Sequence, residues 1–396
     1  MPRIVSMRVG LAVVAALGFA LASPAALAQA KLKLGFIAVL SGPLAILGAE
    51  QRRGLDIALE QLGGKIGDMP VEIIQGDSKA NPGATTQELS RLIEKERVDI
   101  LTGLTLSSEI LAGIKPITDA KIFFLGTNGG PAATAGEQCS PYYFNVSFQN
   151  EQITEGIGAH MNAKGVKKLY LLAMDYEAGH EHSNAAKKGF KGEIVAHVFT
   201  PPPQVDFAAD IAKVRASGAD ALWAFYPGGP GIAFMRQWSQ AGLADKIPLY
   251  SNLGLSEPLV FQAQGKTAIG TSITAHYMHS IDNPENKRFV EAFRKKYNRD
   301  PAGYAANQYD AVMLLDSALK AVKGNLKDQD ALRAALKKAD FKSVRGPFRF
   351  NNNHHPIMNS YLGVVDARQD GSLQLRMTNV IAENLQDNYA TKCPMK

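Results

Sequence analysis

Most signatures of chemistry and of membrane insertion are missing from this sequence. Beyond residue 30 no stretch approaches the run of about 20 apolar residues that crosses a bilayer as a helix. It has no G-x-S-x-G elbow for a nucleophilic serine, no G-x-x-x-x-G-K-[ST] loop for a nucleoside triphosphate and no H-E-x-x-H helix for zinc. With no nucleophile–base constellation in view, the expectation is a protein that is not an enzyme and needs neither cofactor nor metal. Lysine and arginine are scattered over a chain of formal charge +6, and no helix-turn-helix precedes the body, which argues against a nucleic-acid partner. Low-complexity tracts are absent too, and the single proline cluster, Pro201-Pro202-Pro203, reads as a short extended connection into a helix.

Cysteine is almost absent, with Cys139 and Cys393 the only two. Their significance depends on the compartment, and the first residues speak to it. Arg3 and Arg8 form a positive start, residues 11–21 an apolar segment, and Ala28-Gln29-Ala30 a small-residue cleavage site. Residues 1–30 thus read as a secretory leader, and a soluble mature chain from about Lys31 is expected in a bacterial periplasm. Loss of the leader removes two arginines and no acid, which lowers the formal charge from +6 to +4. In an oxidising compartment an even pair of cysteines points to a disulfide, and Cys139–Cys393 is expected to tie the tail to the region near residue 140.

What is present is a regular alternation. Apolar runs at 33–39, 71–76, 98–103, 122–125, 169–174, 193–199, 219–225 and 269–275 read as strands. Helical patterns at 49–62, 82–96, 107–119, 151–163, 179–190, 207–216, 231–241 and 285–297 separate them. The strands are apolar with little alternation, as in parallel sheets covered on both faces. The series predicts a doubly wound α/β fold. It runs twice, interrupted near residue 148, so two sheets are expected; about 366 mature residues also exceed what one core usually serves. Helices at 302–322 and 328–338 follow, then short antiparallel strands at 341–345, 348–350, 360–366 and 372–377.

In open parallel sheets ligands lie beyond the carboxyl ends of the strands. That rule selects the turns at 40–45, 76–79, 104–108 and 126–130 in the first half, rich in Ser, Thr, Asn and Gly. In the second half it selects 175–179, 226–229 and 252–254, which bring Tyr176 and Tyr226. Ser107 and Ser108 open a helix, where they either cap it or hold a carboxylate. Asn128-Gly129-Gly130 is either a left-handed turn or a backbone cradle. Tyr304 opens the long helix within reach of a cleft, whereas Tyr309, Asp310, Trp223 and Phe225 read as structural. His180-Glu181-His182 has i, i+2 spacing that turns the rings apart, so it reads as a solvated helix start rather than a metal site. The pairs His276/His279 and His354/His355 have no third ligand nearby.

LGFIAVLSGPLAILGAEQRRG (34–54), VEIIQGDSKANPGATTQELSRLI (71–93), DYEAG (175–179) and PAGYAANQYDAVMLLDSAL (301–319) together resemble the periplasmic leucine/isoleucine/valine-binding proteins of ABC transporters. The resemblance covers essentially the whole mature chain. It implies two doubly wound lobes joined by three crossovers: 31–147 plus 280–355 as lobe 1, and 148–279 plus 356–396 as lobe 2. It also implies a monomer that closes on a small ligand and delivers it to an inner-membrane permease. By the same resemblance Ser107, Asn128 and Gly130 would hold a ligand carboxylate roofed by Leu40 and Ser41. Tyr176 or Ala178, together with Tyr226, would face it from lobe 2.

One departure matters. Amino-acid binders of that family present an acid from lobe 2 to the ligand's ammonium, and here Asn252-Leu253-Gly254 falls at that place, with Glu257 beyond. A buried ammonium without a counter-charge is costly. The expected ligand therefore carries a carboxylate and no α-ammonium, and the tyrosines favour an aromatic acid of the benzoate or cinnamate type. Branched-chain amino acids are the alternative if Glu257 or Asp175 reaches the site, and a sensor subunit without transport is a further one.

Overall fold

The computed structural model describes residues 1–4 and 31–395; the rest of the expected leader lies outside the described residues. The first sheet contains β1 (Leu32–Ala38), β2 (Lys65–Ile66), β3 (Met69–Asp77), β4 (Ile100–Gly103), β5 (Phe123–Gly126) and β6 (Tyr143–Asn145), in the order β2-β3-β1-β4-β5-β6. The second contains β7 (Lys168–Met174), β8 (Glu193–Thr200), β9 (Ala221–Phe225), β10 (Leu249–Asn252) and β11 (Ser272–Ala275). Three later strands, β12 (Arg349–Phe350), β13 (Pro356–Ala367) and β14 (Leu373–Leu385), extend it antiparallel, β13 pairing with β11.

The parallel strands run β3-β1-β4-β5-β6 in one sheet and β8-β7-β9-β10-β11 in the other. These are one topology used twice. In each, the winding direction reverses beside the first strand, and the crevice outside that reversal is where such sheets bind ligands.

The helices are α1 (Ala45–Gln61), α2 (Pro82–Ser90), α3 (Ser107–Asp119), α4 (Ala132–Ala135), α5 (Ile157–Ala163), α6 (Glu177–Lys187), α7 (Ala208–Ala216), α8 (Gly229–Gln240), α9 (Phe261–Gln264), α10 (Pro284–Tyr297), α11 (Gly303–Ala321) and α12 (Gln329–Lys338). Although α10 and α11 follow β11 of the second sheet in sequence, they pack on the first: Phe289, Phe293 and Leu315 share a core with Leu34 and Phe36 of β1. Gly54 makes the α1–α11 contact possible, since a Cβ there would stand 2.1 Å from the Ala305 carbonyl oxygen. In the second lobe β7 buries Tyr170, Leu172 and Met174 on one face and Leu169, Leu171 and Ala173 on the other, as a strand covered on both sides must.

The chain passes between the lobes three times: after β6, after β11, and around β12. Arg345 braces the first passage. It pairs with buried Asp310 of α11 at 3.0 Å and donates to the Ser147 and Val146 carbonyls. Beyond β14 the tail of the second lobe is tied across to the first, Cys393 being joined to Cys139. Asn353 adds a bond to the Ala135 carbonyl at 2.7 Å.

Several elements differ from expectation. The short strands β2, β6 and β10 were not anticipated. Residues 341–345 form no strand; their backbone is spent on Asp310, which accepts from Val344 N at 3.0 Å, and one isolated bridge joins Ser343 to Gly346. The helix expected from 151 starts only at Ile157, because Gly156 takes a left-handed φ of 89° and residues 151–156 coil as turns. Among the described residues no helix is long and apolar enough to cross a membrane.

Candidate functional site

Between the lobes lies a cavity lined mostly by buried residues. Its walls are the turns after β4, β5 and β6 of the first sheet, the turns after β7, β9, β10 and β11 of the second, and the start of α11. Among the described residues that line it, none is Asp, Glu, Lys or Arg.

The start of α3 supplies donors. Leu106, not Ser107, is the N-cap residue, and Glu109 secures the entry by accepting from Thr105 N at 3.0 Å and Leu106 N at 2.9 Å. Ser107 is thereby released from capping. Its hydroxyl oxygen accepts from Asn150 Nδ2 at 2.9 Å, which leaves its hydrogen free to donate into the cavity. The N–H groups of Ser107 and Ser108 belong to the first turn and have no intrahelical acceptor, and the helix dipole adds partial positive charge there. Gly129, at φ 63°, lets the neighbouring turn come within 3.3 Å of Ser107 N, measured from where a Cβ would sit.

Asn128 lines the cavity, but its amide is donated to the Thr105 carbonyl, so it pins the two turns together. Gly130 does not present its N–H to a ligand. It donates to Asn150 Oδ1 at 2.9 Å, and a Cβ at Gly130 would meet the Phe148 carbonyl oxygen at 1.9 Å, so the glycine is required by packing.

Leu40 and Ser41 do not line the cavity. Leu40 N is bound to Asp77 Oδ1 at 2.9 Å and Ser41 is exposed. Their turn instead meets the second lobe, where the Pro43 carbonyl accepts from Gly229 N at 3.0 Å. Leu44 and Leu47 extend this contact through an apolar cluster with Leu106, Leu259 and Tyr304.

The facing walls are aromatic. Tyr176 stacks on Phe225 with centroids 6.1 Å apart, and Phe148 and Tyr304 complete the enclosure, with Ala178 leaving space beside them. Tyr226 is not part of it. Successive residues of a strand point to opposite faces, so Phe225 turns to the cavity while Tyr226 packs against Phe207 at 4.6 Å and its hydroxyl meets Thr200.

Asn252 lines the site, but both its polar atoms are already engaged: its Nδ2 donates to Thr154 Oγ1 at 3.0 Å and its Oδ1 accepts from Gly254 N at 2.9 Å. Thr154 also meets His182 Nδ1 at 3.0 Å, and burial lowers the His182 pKa to about 3, so the ring is neutral. Neither reserve carboxylate lines the cavity. Glu257 is buried behind Gly303, accepting from its N–H at 3.2 Å, and Asp175 pairs outside with His180 at 2.8 Å.

The 180–182 stretch is not a solvated helix start. Glu181 and His182 are buried because the first lobe closes over them: Glu181 accepts from Ala132 N at 2.8 Å and from Asn150 Nδ2 at 2.7 Å. Burial, with Glu177 adding to it, lifts the Glu181 pKa to about 8. Among the described residues no cluster of three or more His, Cys, Asp or Glu could hold a metal ion.

Sequence reasoning missed Phe148, Asn150, His182, Phe225, His276 and Asn307. The rule of carboxyl strand ends would have found Phe148 and Asn150 had β6 been recognised, and His276 directly follows β11. Asn307 lies four residues, one helical turn, beyond Gly303 and so on the same face of the helix start.

Two α/β lobes that share a topology, close on each other and trap a charge-free cavity define a solute receptor. The chain belongs to the periplasmic binding protein family, whose model matches residues 31–372. It is 31% identical over 366 residues to the Leu/Ile/Val-binding protein homolog 6 of Brucella melitensis, covering 89% of this chain and 92% of that one. Among solved structures it is similar to an ABC-transporter solute-binding protein of R. palustris in complex with benzoate. That match has a TM-score of 0.87 and 31% identity, over 92% of this chain and 100% of that one. Another R. palustris solute-binding protein, in complex with 4-hydroxybenzoate, matches with a TM-score of 0.84 and 28% identity, over 91% and 99% of the two chains.

Proposed function

We propose that this chain is the periplasmic receptor of an ABC importer and closes on a small aromatic carboxylate of the benzoate or cinnamate type. The observation that carries the reading is a cavity without a charged side chain that has uncommitted donors at the start of α3. A carboxylate can be met there by the Ser107 hydroxyl and first-turn N–H groups. The ring would lie among Tyr176, Phe225, Phe148 and Tyr304. An α-ammonium would be buried with no carboxylate beside it, a cost of several kcal/mol. The benzoate and 4-hydroxybenzoate complexes of the R. palustris proteins support the same class.

In this reading the leader 1–30 is cleaved, the lobes divide as 31–147 plus 280–355 and 148–279 plus 356–396, and the receptor docks as a monomer on an inner-membrane permease. The Leu/Ile/Val name of the Brucella relative favours a second reading, a branched-chain amino-acid receptor.

A melting screen of the mature chain against benzoate, cinnamate, hydroxybenzoates, leucine and valine separates the two. A ligand at 100 times its Kd stabilises by about 2.7 kcal/mol. Aromatic acids are expected to raise the melting temperature and amino acids to leave it unmoved; the reverse pattern overturns the assignment.

A further inference from the structure

Most polar groups in the cavity answer to one another, but one pair does not. His276 follows β11, Asn307 lies in α11, and both line the cavity. His276 Nε2 and Asn307 Oδ1 are 2.8 Å apart, while His276 Nδ1 and Asn307 Nδ2 are buried without a partner. By contrast Ser107 and Asn150 bond each other, and Asn252 and His182 both bond Thr154. The ring is held in place by Phe148, with centroids 4.8 Å apart, and by Gly303, where a Cβ would stand 3.3 Å from Cε1.

The chemistry left over does not depend on how the pair is oriented. Burial, aided by the charge of Arg345, lowers the His276 pKa to about 3, so the imidazole carries one N–H. If that N–H is on Nε2 and donates to Oδ1, an acceptor remains on Nδ1 and two N–H donors on Nδ2. If the amide is flipped and donates one N–H to Nε2, the donors left are Nδ1–H and the second amide N–H, and the acceptor is the amide oxygen. Either way two N–H donors and one acceptor stay buried and unpaired, each a destabilising burial while unanswered. A hydroxyl, with one O–H and two lone pairs, can answer both kinds at once. A carboxylate only accepts and an ammonium only donates, so each would satisfy one half and oppose the other.

We propose that His276 and Asn307 form a subsite for a ring hydroxyl, making the preferred ligand a hydroxylated aromatic carboxylate. The proposal rests on the aromatic-acid reading above and adds the substituent and the residues that select it.

Calorimetric titration of the mature protein with benzoate, 3-hydroxybenzoate, 4-hydroxybenzoate and 3,4-dihydroxybenzoate tests it. At least one hydroxylated acid is expected to bind more than about tenfold tighter than benzoate, since a site built to bond a hydroxyl penalises the analogue lacking it. His276→Phe and Asn307→Leu should each bring that ratio to within about twofold of unity. A ratio near one in the unaltered protein, as a water answering the pair would give, overturns the subsite and leaves the aromatic-acid reading standing. A ratio that survives both substitutions also overturns it. No binding of any aromatic acid instead defeats the reading on which it rests. Should both variants misfold, the imidazole ¹⁵N resonances of His276 in the unaltered protein decide. They should shift with the hydroxylated acid and not with benzoate, and equal shifts refute the assignment.

Discussion

Replacing Ser107 by alanine removes one hydroxyl from the start of α3 and leaves the helix capped. The N-cap position is Leu106, and the donors flanking it are satisfied by Glu109. Asn150 loses one acceptor, yet keeps Glu181 Oε2 at 2.7 Å through the same Nδ2. The ligand-free protein should therefore lose no more than about 1 kcal/mol, the net worth of one hydrogen bond. Binding should suffer more. A bond from a neutral donor to a buried carboxylate contributes about 1.5–3 kcal/mol, and each 1.4 kcal/mol is a factor of about ten, so affinity should fall roughly 10- to 150-fold. Titration calorimetry with the tightest aromatic acid, beside urea unfolding of the ligand-free variant, reads the two effects separately. Affinity within twofold of the unaltered protein, with several kcal/mol of stability lost, would show Ser107 to be a packing residue and refute the anion site.

Two further outcomes concern buried ionisable groups. The Glu181 pKa is raised in the closed form, so when the lobes part and the carboxyl regains water it releases a proton. Closure therefore takes up a proton between the ordinary glutamate value and about 8, and the closed form weakens as pH rises through that window. Affinity should fall between pH 5.5 and 8, by at most about tenfold per unit, and Glu181→Gln should flatten the profile; affinity that rises with pH contradicts this. Asp310→Asn strands the buried Arg345 guanidinium and should cost about 3–5 kcal/mol in urea unfolding. A change under 1 kcal/mol would mean that Arg345 is held by the Val146 and Ser147 carbonyls alone.

Much of the architecture is legible because its causes are local. Parallel strands buried on both faces appear as unbroken apolar runs, and those runs, set between helical patterns, disclose a doubly wound fold used twice. The rule of carboxyl strand ends then finds Ser107, Asn128, Tyr176 and Asn252 at the cavity. The same rule errs at Tyr226, since in a strand apolar on both faces no periodicity tells which of Phe225 and Tyr226 turns inward. It errs at Leu40, Ser41 and Gly130 because their backbone groups are taken by Asp77, the second lobe and Asn150, partners distant in sequence.

The amino-acid order by itself determined the alternation of elements, the list of turns able to hold a ligand and the cysteine pair that joins the tail. Only the tertiary structure decided which donors are already spent, that Glu181 and His182 lie under the opposite lobe, and that His276 and Asn307 stand together with donors and an acceptor unanswered. The division has a physical origin. Periodicity and turn chemistry act over a few residues, whereas the state of a buried polar group depends on every element packed around it, and here those elements come from two lobes that meet only when the chain has folded.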